Sequence, residues 1–252
     1  MGHSFSRTRL LVRSFFIQGS WNYRNLLGTG FAWALRPENG SVSGPEGGPS
    51  GRRDTEADEV ARAAEPFNTH PYLSPVALGA LARMREDGVD PARIRAFRQA
   101  LRSPLGGLGD GLVWGGWRPA CLLGAGCVAL LGGGPGVVLA TFLVTYNAVH
   151  LALRIHGLRV GSDSGLNVAA GISKMGLPAW TERIRAVGVL LLGLALGLLL
   201  GRGVGVSELG PAWVAGAIVL FLAGLSGGDL VRRWGPELLF LLILAGTRIP
   251  PS

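Results

Sequence analysis

Residues 120–149 contain no charged side chain. An apolar run of about 30 residues exceeds a single membrane crossing, which takes roughly 20, and a soluble core helix is shorter still. Gly-Gly-Gly-Pro at 132–135 interrupts the run. The pattern predicts either two short half-spans in a hairpin or one span beside a broken helix. Residues 186–201 form a Leu-rich run between Arg185 and Arg202, slightly short for a crossing. Residues 209–228 have the length of a span, and 234–246, apolar apart from Glu237, predict a buried or partly inserted terminal helix. Only 16% of residues are charged, against about 25% in soluble domains. There are 41 glycines, a residue more frequent in membrane helices than in soluble ones. The expectation is an all-α integral membrane protein with several transmembrane and broken or re-entrant helices.

The first part of the chain has a different character. Residues 1–36 mix Arg with Leu10, Leu11, Phe15, Phe16, Trp21, Tyr23, Phe31 and Trp33. They are too interrupted to cross a bilayer and predict an amphipathic segment in its interface, with Trp and Tyr at headgroup level. The opening residues lack a long apolar region and a small-residue cleavage site, so they do not read as a signal peptide. Residues 37–57 are dominated by Gly, Pro and Ser and predict a flexible linker, because too little apolar surface is present to offset ordering. Residues 58–118 are expected to form a core with re-entrant motifs, and 119–252 a transmembrane helical region. The net charge is +8, and Lys174 is the only lysine. Basic residues flank apolar runs, which favours a lipid bilayer over nucleic acid as partner. Their density before residue 119 places that half on the cytoplasmic side. Cys121 and Cys127 sit among Gly and Ala without acidic or His neighbours, so they read as small buried residues and not as a metal pair.

Irregular backbone at membrane depth survives only where protein buries it or it lines a cavity, and transporters place such breaks at substrate sites. This directs attention to 67–75 (FNTHPYLSP), 103–110 (SPLGGLGD) and 132–135. Polar and aromatic residues gather in three places. Gln18, Trp21 and Asn22 lie in IQGSWNY, where the plain reading is an interfacial anchor. Asn68, Thr69, His70 and Pro71 form a helix breaker, with Asn68 or Thr69 a possible N-cap. Gly109, Asp110, Trp114 and Arg118 lie in GDGLVWGGWRP, where Asp110 reads either as an N-cap paired with Arg118 or as an ionisable group kept near lipid for function. Asn147, with His150 a turn on, reads mainly as a helix-packing residue. The Gly-rich strings lack the GK[ST] of a phosphate loop. No catalytic triad, metal motif or cofactor signature appears, so no catalytic residue, metal or cofactor is assigned.

Three long stretches, in order, carry a resemblance: RSFFIQGSWNYRNLLGTGFAWALRP (13–37), FNTHPYLSPVALGAL (67–81) and SPLGGLGDGLVWGGWRP (103–119). TYNAVHLALRIHGLRVGSDSG (145–165) adds a weaker fourth match. Together they resemble the IID subunit of the mannose/fructose/sorbose-type sugar phosphotransferase system. The resemblance implies a multi-pass subunit of the bacterial inner membrane. It would form a hexose path with a IIC subunit, in a hetero-oligomer served by soluble IIA and IIB proteins. Such a subunit is not phosphorylated and is no enzyme on its own. By motif position, Asn68, His70, Asp110 and Trp114 would lie near the sugar. Gln18, Trp21, Asn22, Pro71, Gly109, Arg118 and Asn147 would build the structural core. Carboxylate, amide and imidazole groups bind sugar hydroxyls, and a flat ring covers the apolar sugar face. The alternatives are a degenerate regulatory or assembly subunit without transport, and a membrane enzyme using Asp110 and His70 as an acid–base pair.

Overall fold

In the computed structural model of the chain, residues 5–36 and 65–201 are described. The expected linker at 37–57, the short helix near 58–64 and the apolar runs 209–228 and 234–246 lie outside them. Among the described residues the regular structure is helical, with only isolated bridges joining Asn22 to Leu26 and Leu26 to Phe67.

The amphipathic opening segment is not one helix. Helix α1 (Arg7–Ser14) is followed by a 3-10 turn (Ile17–Ser20) and helix α2 (Gly28–Ala34). Ser6 caps α1, accepting from the Arg9 amide at 3.5 Å. Asn22 sets the break between the helices: its Oδ1 accepts from the Arg24 and Asn25 amides at 3.0 and 2.9 Å, a turn that competes with helix. The α2 C-terminus is closed by arginines. Arg13 donates to the carbonyls of Ala34 and Arg36, and Arg85 donates to that of Leu35. Cations satisfy the last orphan carbonyls of a helix and oppose its dipole.

Helix α3 (Ser74–Glu86) is nearly all buried, and α4 (Pro91–Gly109) starts on an Asp90 cap with Pro91 in its first turn. A break was expected at 103–110. The helix instead runs through Pro104 and then widens into a π segment, Asp110–Trp117. Flexible glycines let the chain change pitch there without stopping, and π turns are concentrated at functional sites. Helix α5 (Arg118–Leu130) ends at the predicted 132–135 interruption, where Gly132 adopts φ 91°. Helix α6 (Pro135–Ser164), a 3-10 turn (Gly165–Asn167), α7 (Val168–Lys174) and α8 (Leu177–Gly201) complete the described chain. Among the described residues, one helical stretch within Pro135–Leu199 is long and apolar enough to cross a membrane.

The chain divides into two units, Met1–Gly115 with Tyr146–Thr181, and Gly116–Thr145 with Glu182–Ser252. In the first, α3 is the central element, against which α1, α4 and the turn at 165–167 pack. Its approach to α6 is a backbone contact. A β-carbon at Gly79 would lie 2.6 Å from the Leu158 carbonyl oxygen, and one at Gly161 would lie 2.1 Å from that of Val76. Small residues allow this closeness, as they do between membrane helices. The loop before α3 is pinned by Arg98 of α4. Its guanidinium donates to the Glu65 carbonyl at 2.7 Å and covers the Phe31 and Phe67 rings at 5.7 and 5.1 Å. Burial lowers the Arg98 pKa to about 10, so the group stays cationic. Leu27 N–H also donates to the Phe67 carbonyl at 3.0 Å, so residues from the first and second motifs meet. In the second unit, Cys121 and Cys127 are free and buried. The Cys127 thiol donates to the Leu191 carbonyl at 3.5 Å, tying α5 to α8.

Candidate functional site

His70 stands at the end of the irregular segment before α3 and is 1% exposed. Its backbone carbonyl receives the Leu73 and Ser74 amides at 3.0 Å each. Ser74 returns its hydroxyl to the Pro71 carbonyl at 2.7 Å. The helix therefore starts on backbone and Ser74 contacts. Its N-cap is Leu73, and neither Asn68 nor Thr69 caps it. The tautomer of His70 follows from its partner. Tyr72 N–H donates to Nδ1 at 3.2 Å, so the neutral ring carries its proton on Nε2. Among the described residues that buried Nε2 has no hydrogen-bond partner, and neither has the buried Thr69 hydroxyl. An unmatched buried polar group costs about 1–3 kcal/mol. His70 lies outside the candidate spanning stretch. Burial, reinforced by the positive charge of Arg154, lowers its pKa to about 4.

The second predicted cluster meets the first. The last turn of α4 closes on the loop through glycine: a β-carbon at Gly109 would fall 2.1 Å from His70 Cβ, and one at Gly106 would fall 4.0 Å from Thr69 Cα. Trp114, in the π segment, brings its ring to 5.4 Å from the His70 ring and 6.4 Å from that of Tyr72. Asn68, Asp110 and Trp114 are exposed, whereas His70 and Thr69 are buried beside them. Asp110 is not an N-cap: it follows α4 as its C-cap and opens the π segment. It forms no ion pair among the described residues, so the suggested pair with Arg118 is not made. Burial raises its pKa.

The remaining motif residues are placed differently. Gln18, Trp21 and Asn22 are exposed on this chain, Trp21 at 49%. They shape the turn after the 3-10 segment and do not fill its interior: Asn22 makes the turn described above, and Trp21 packs edge-on against Tyr23 at 4.9 Å. Asn147, read as a packing residue, presents Oδ1 to His150 Nδ1 at 3.5 Å within α6.

Sequence reasoning did not single out Tyr72, Tyr146 or Arg154. Tyr72 lies edge-on to His70 at 4.9 Å, stacks on His150 at 3.9 Å and 18°, and pairs its hydroxyl with that of Tyr146 at 2.7 Å. Tyr72 is in the FNTHPY string, but its contacts with α6 span 74 residues of sequence, beyond the reach of local spacing. The assembled site can offer hydrogen bonds to a hydroxyl-rich ligand and flat rings to an apolar face. No group of three or more metal-ligating side chains occurs among the described residues.

The fold defined by these helices recurs in solved membrane proteins. It matches a chain in the cryo-EM structure of the mannose transporter ManYZ with microcin E492, with TM-score 0.54 and 21% identity over 97% of both chains. It also matches a solved membrane protein, with TM-score 0.58 and 26% identity over 77% of this chain and 70% of the other. At the level of sequence, residues 5–199 match the profile of the mannose/fructose/sorbose family IID component of the phosphotransferase system, and the chain belongs to that family. Among its relatives, the fructose permease IID component of Bacillus subtilis strain 168 is 29% identical over 189 residues, covering 73% of this chain and 66% of the relative. The mannose-specific EIID component of Escherichia coli K12 is 30% identical over 190 residues, covering 73% and 64%. The sorbose-specific EIID component of Klebsiella pneumoniae is 29% identical over 192 residues, covering 73% and 66%. The chain thus spans just under two thirds of the length of these relatives.

Proposed function

We propose that this chain is the IID membrane subunit of a phosphoenolpyruvate-dependent sugar phosphotransferase system. With a IIC subunit it forms the path for a hexose of the mannose, fructose or sorbose type. Soluble IIA and IIB proteins carry the phosphate, and this chain performs no chemistry itself. It is a multi-pass protein of the bacterial inner membrane, working in a hetero-oligomer embedded in lipid. The observation that carries this reading is the meeting of the 67–71 and 109–114 segments. A buried imidazole Nε2 and a buried Thr69 hydroxyl have no partners among the described residues and lie beside exposed Asn68, Asp110 and Trp114. Orphaned polar groups next to an aromatic face suit a ligand bearing hydroxyls on its rim and C–H groups on its face. Asn68, His70 and Asp110 would bond to sugar hydroxyls, and Trp114 would cover the ring. The permease and sugar-specific names of the relatives do not favour the regulatory alternative.

The test is uptake of radiolabelled mannose, fructose and sorbose by cells making the chain with its IIC neighbour and the soluble phosphotransfer proteins. Asn68→Ala, His70→Ala and Asp110→Ala are each expected to lower uptake at limiting sugar about tenfold, roughly 1.4 kcal/mol, at equal amounts in the membrane. Unchanged uptake in all three would remove these residues from the sugar path.

A further inference from the structure

Arg154 of α6 is 2% exposed, yet its guanidinium has no carboxylate partner among the described residues. Nε–H donates to His150 Nε2 at 2.7 Å, and one terminal nitrogen donates to the Ser14 carbonyl at 2.5 Å and the Ser14 hydroxyl at 3.0 Å. The rings of Phe15 and Tyr72 lie 4.7 and 5.4 Å from its central carbon. A tether between α1 and α6 does not require a charge here. A buried ion can often be replaced by apolar side chains with little loss of stability, because desolvation offsets its attractions. The planar fork does something a neutral side chain would not. It donates to His150 Nε2, so the imidazole is neutral and its proton sits on Nδ1, facing Asn147 Oδ1 at 3.5 Å. The ring is thereby held in one tautomer and one plane. Tyr72 stacks on that plane at 3.9 Å and 18°, with the Arg154 charge against its own face. Tyr72 in turn meets His70 edge-on and lies 6.4 Å from Trp114.

We propose that Arg154 is the positioning residue of the sugar site: through His150 it sets the plane of Tyr72, and so the aromatic wall that Tyr72 and Trp114 present to the sugar ring. This rests on the sugar-site reading above. Arg154 touches no sugar itself. It keeps a rotatable ring in a single orientation, which lowers the ordering that binding would otherwise require.

The experiment measures sugar uptake against concentration. The full chain is co-produced with its IIC subunit and the soluble phosphotransfer proteins, using whichever of mannose, fructose and sorbose the wild-type complex takes up best. Arg154→Lys keeps the cation but loses the fork. His150→Phe keeps a flat ring on Tyr72 but loses the acceptor, and it tests the same link if the lysine variant fails to accumulate. Ser14→Ala removes one tether bond and leaves the imidazole contact intact. Arg154→Lys and His150→Phe are expected to raise KM about tenfold, with maximal rate per inserted chain within about twofold. Ser14→Ala is expected to match wild type. The double variant should be no worse than the worse single, because both changes break one link. An unchanged KM in His150→Phe, or effects that multiply in the double variant, would overturn the proposal. His70→Ala, run in parallel, separates the two ideas. If it raises KM while Arg154→Lys and His150→Phe do not, only the positioning role fails. If it too leaves KM unchanged, the sugar site itself is wrong.

Discussion

Position 109 admits glycine alone, because any β-carbon there would overlap the His70 side chain. The imidazole it packs against is buried, accepts the Tyr72 amide on Nδ1, and leaves Nε2 unmatched among the described residues. Burial holds its pKa near 4, below its ordinary 6.5. A depressed histidine pKa has a definite sign. Stability is fully present above the unfolded value, and it declines as pH falls from 6.5 toward 4, because only the unfolded chain takes up the proton. His70→Gln removes this dependence. Thermal unfolding of the purified chain in detergent at pH 7.5 and pH 5 should therefore show wild type losing more stability than His70→Gln on acidification. An equal loss would place His70 in solvent. At this scale the sequence was informative about residue type. Asn68, His70, Asp110 and Trp114 stood out as polar or aromatic groups beside chain breaks. Arg154 did not, since its partner Ser14 is 140 residues away.

Helix α3 meets α6 through Gly79, Gly157 and Gly161, with α6 backbone lying where a Gly79 side chain would be and α3 backbone where a Gly161 side chain would be. Gly161→Ala is expected to destabilise the chain by about 1–3 kcal/mol, since rigid backbone has to move to accept the methyl group. Gly188→Ala in α8, with nothing within 4 Å of the added carbon, should be neutral or stabilising by about 0.5–1 kcal/mol through helix propensity. Thermal unfolding of both variants in detergent compares them directly, and equal midpoints would contradict the close approach. The α3 and α4 periods and the 132–135 stop were legible from spacing. The continuous passage from α4 into the π segment was not, because Pro and Gly mark both a break and a change of pitch. Nor was the division of the opening segment into α1, a 3-10 turn and α2, which depends on the Asn22 turn and on Arg13 and Arg85 closing α2.

Taken whole, the described chain carries an apolar stretch within Pro135–Leu199 and many exposed apolar side chains, among them Leu139, Val144 and Leu190. Exposed apolar surface on this scale is expected to face lipid or another subunit. Membranes holding the chain should keep it in the pellet through high salt and alkaline carbonate and release it only to detergent, as read by immunoblot; release by carbonate would contradict a spanning helix. The sequence by itself determined the helical, lipid-facing character and the family, because uncharged runs and long ordered motifs are local properties of the chain. Only the tertiary structure decided which residues meet at the candidate site. It closed α4 on His70 through a missing side chain at Gly109. It also brought α6 across to Tyr72, where a buried arginine, an imidazole and a tyrosine ring stack in an order that no spacing along the chain encodes.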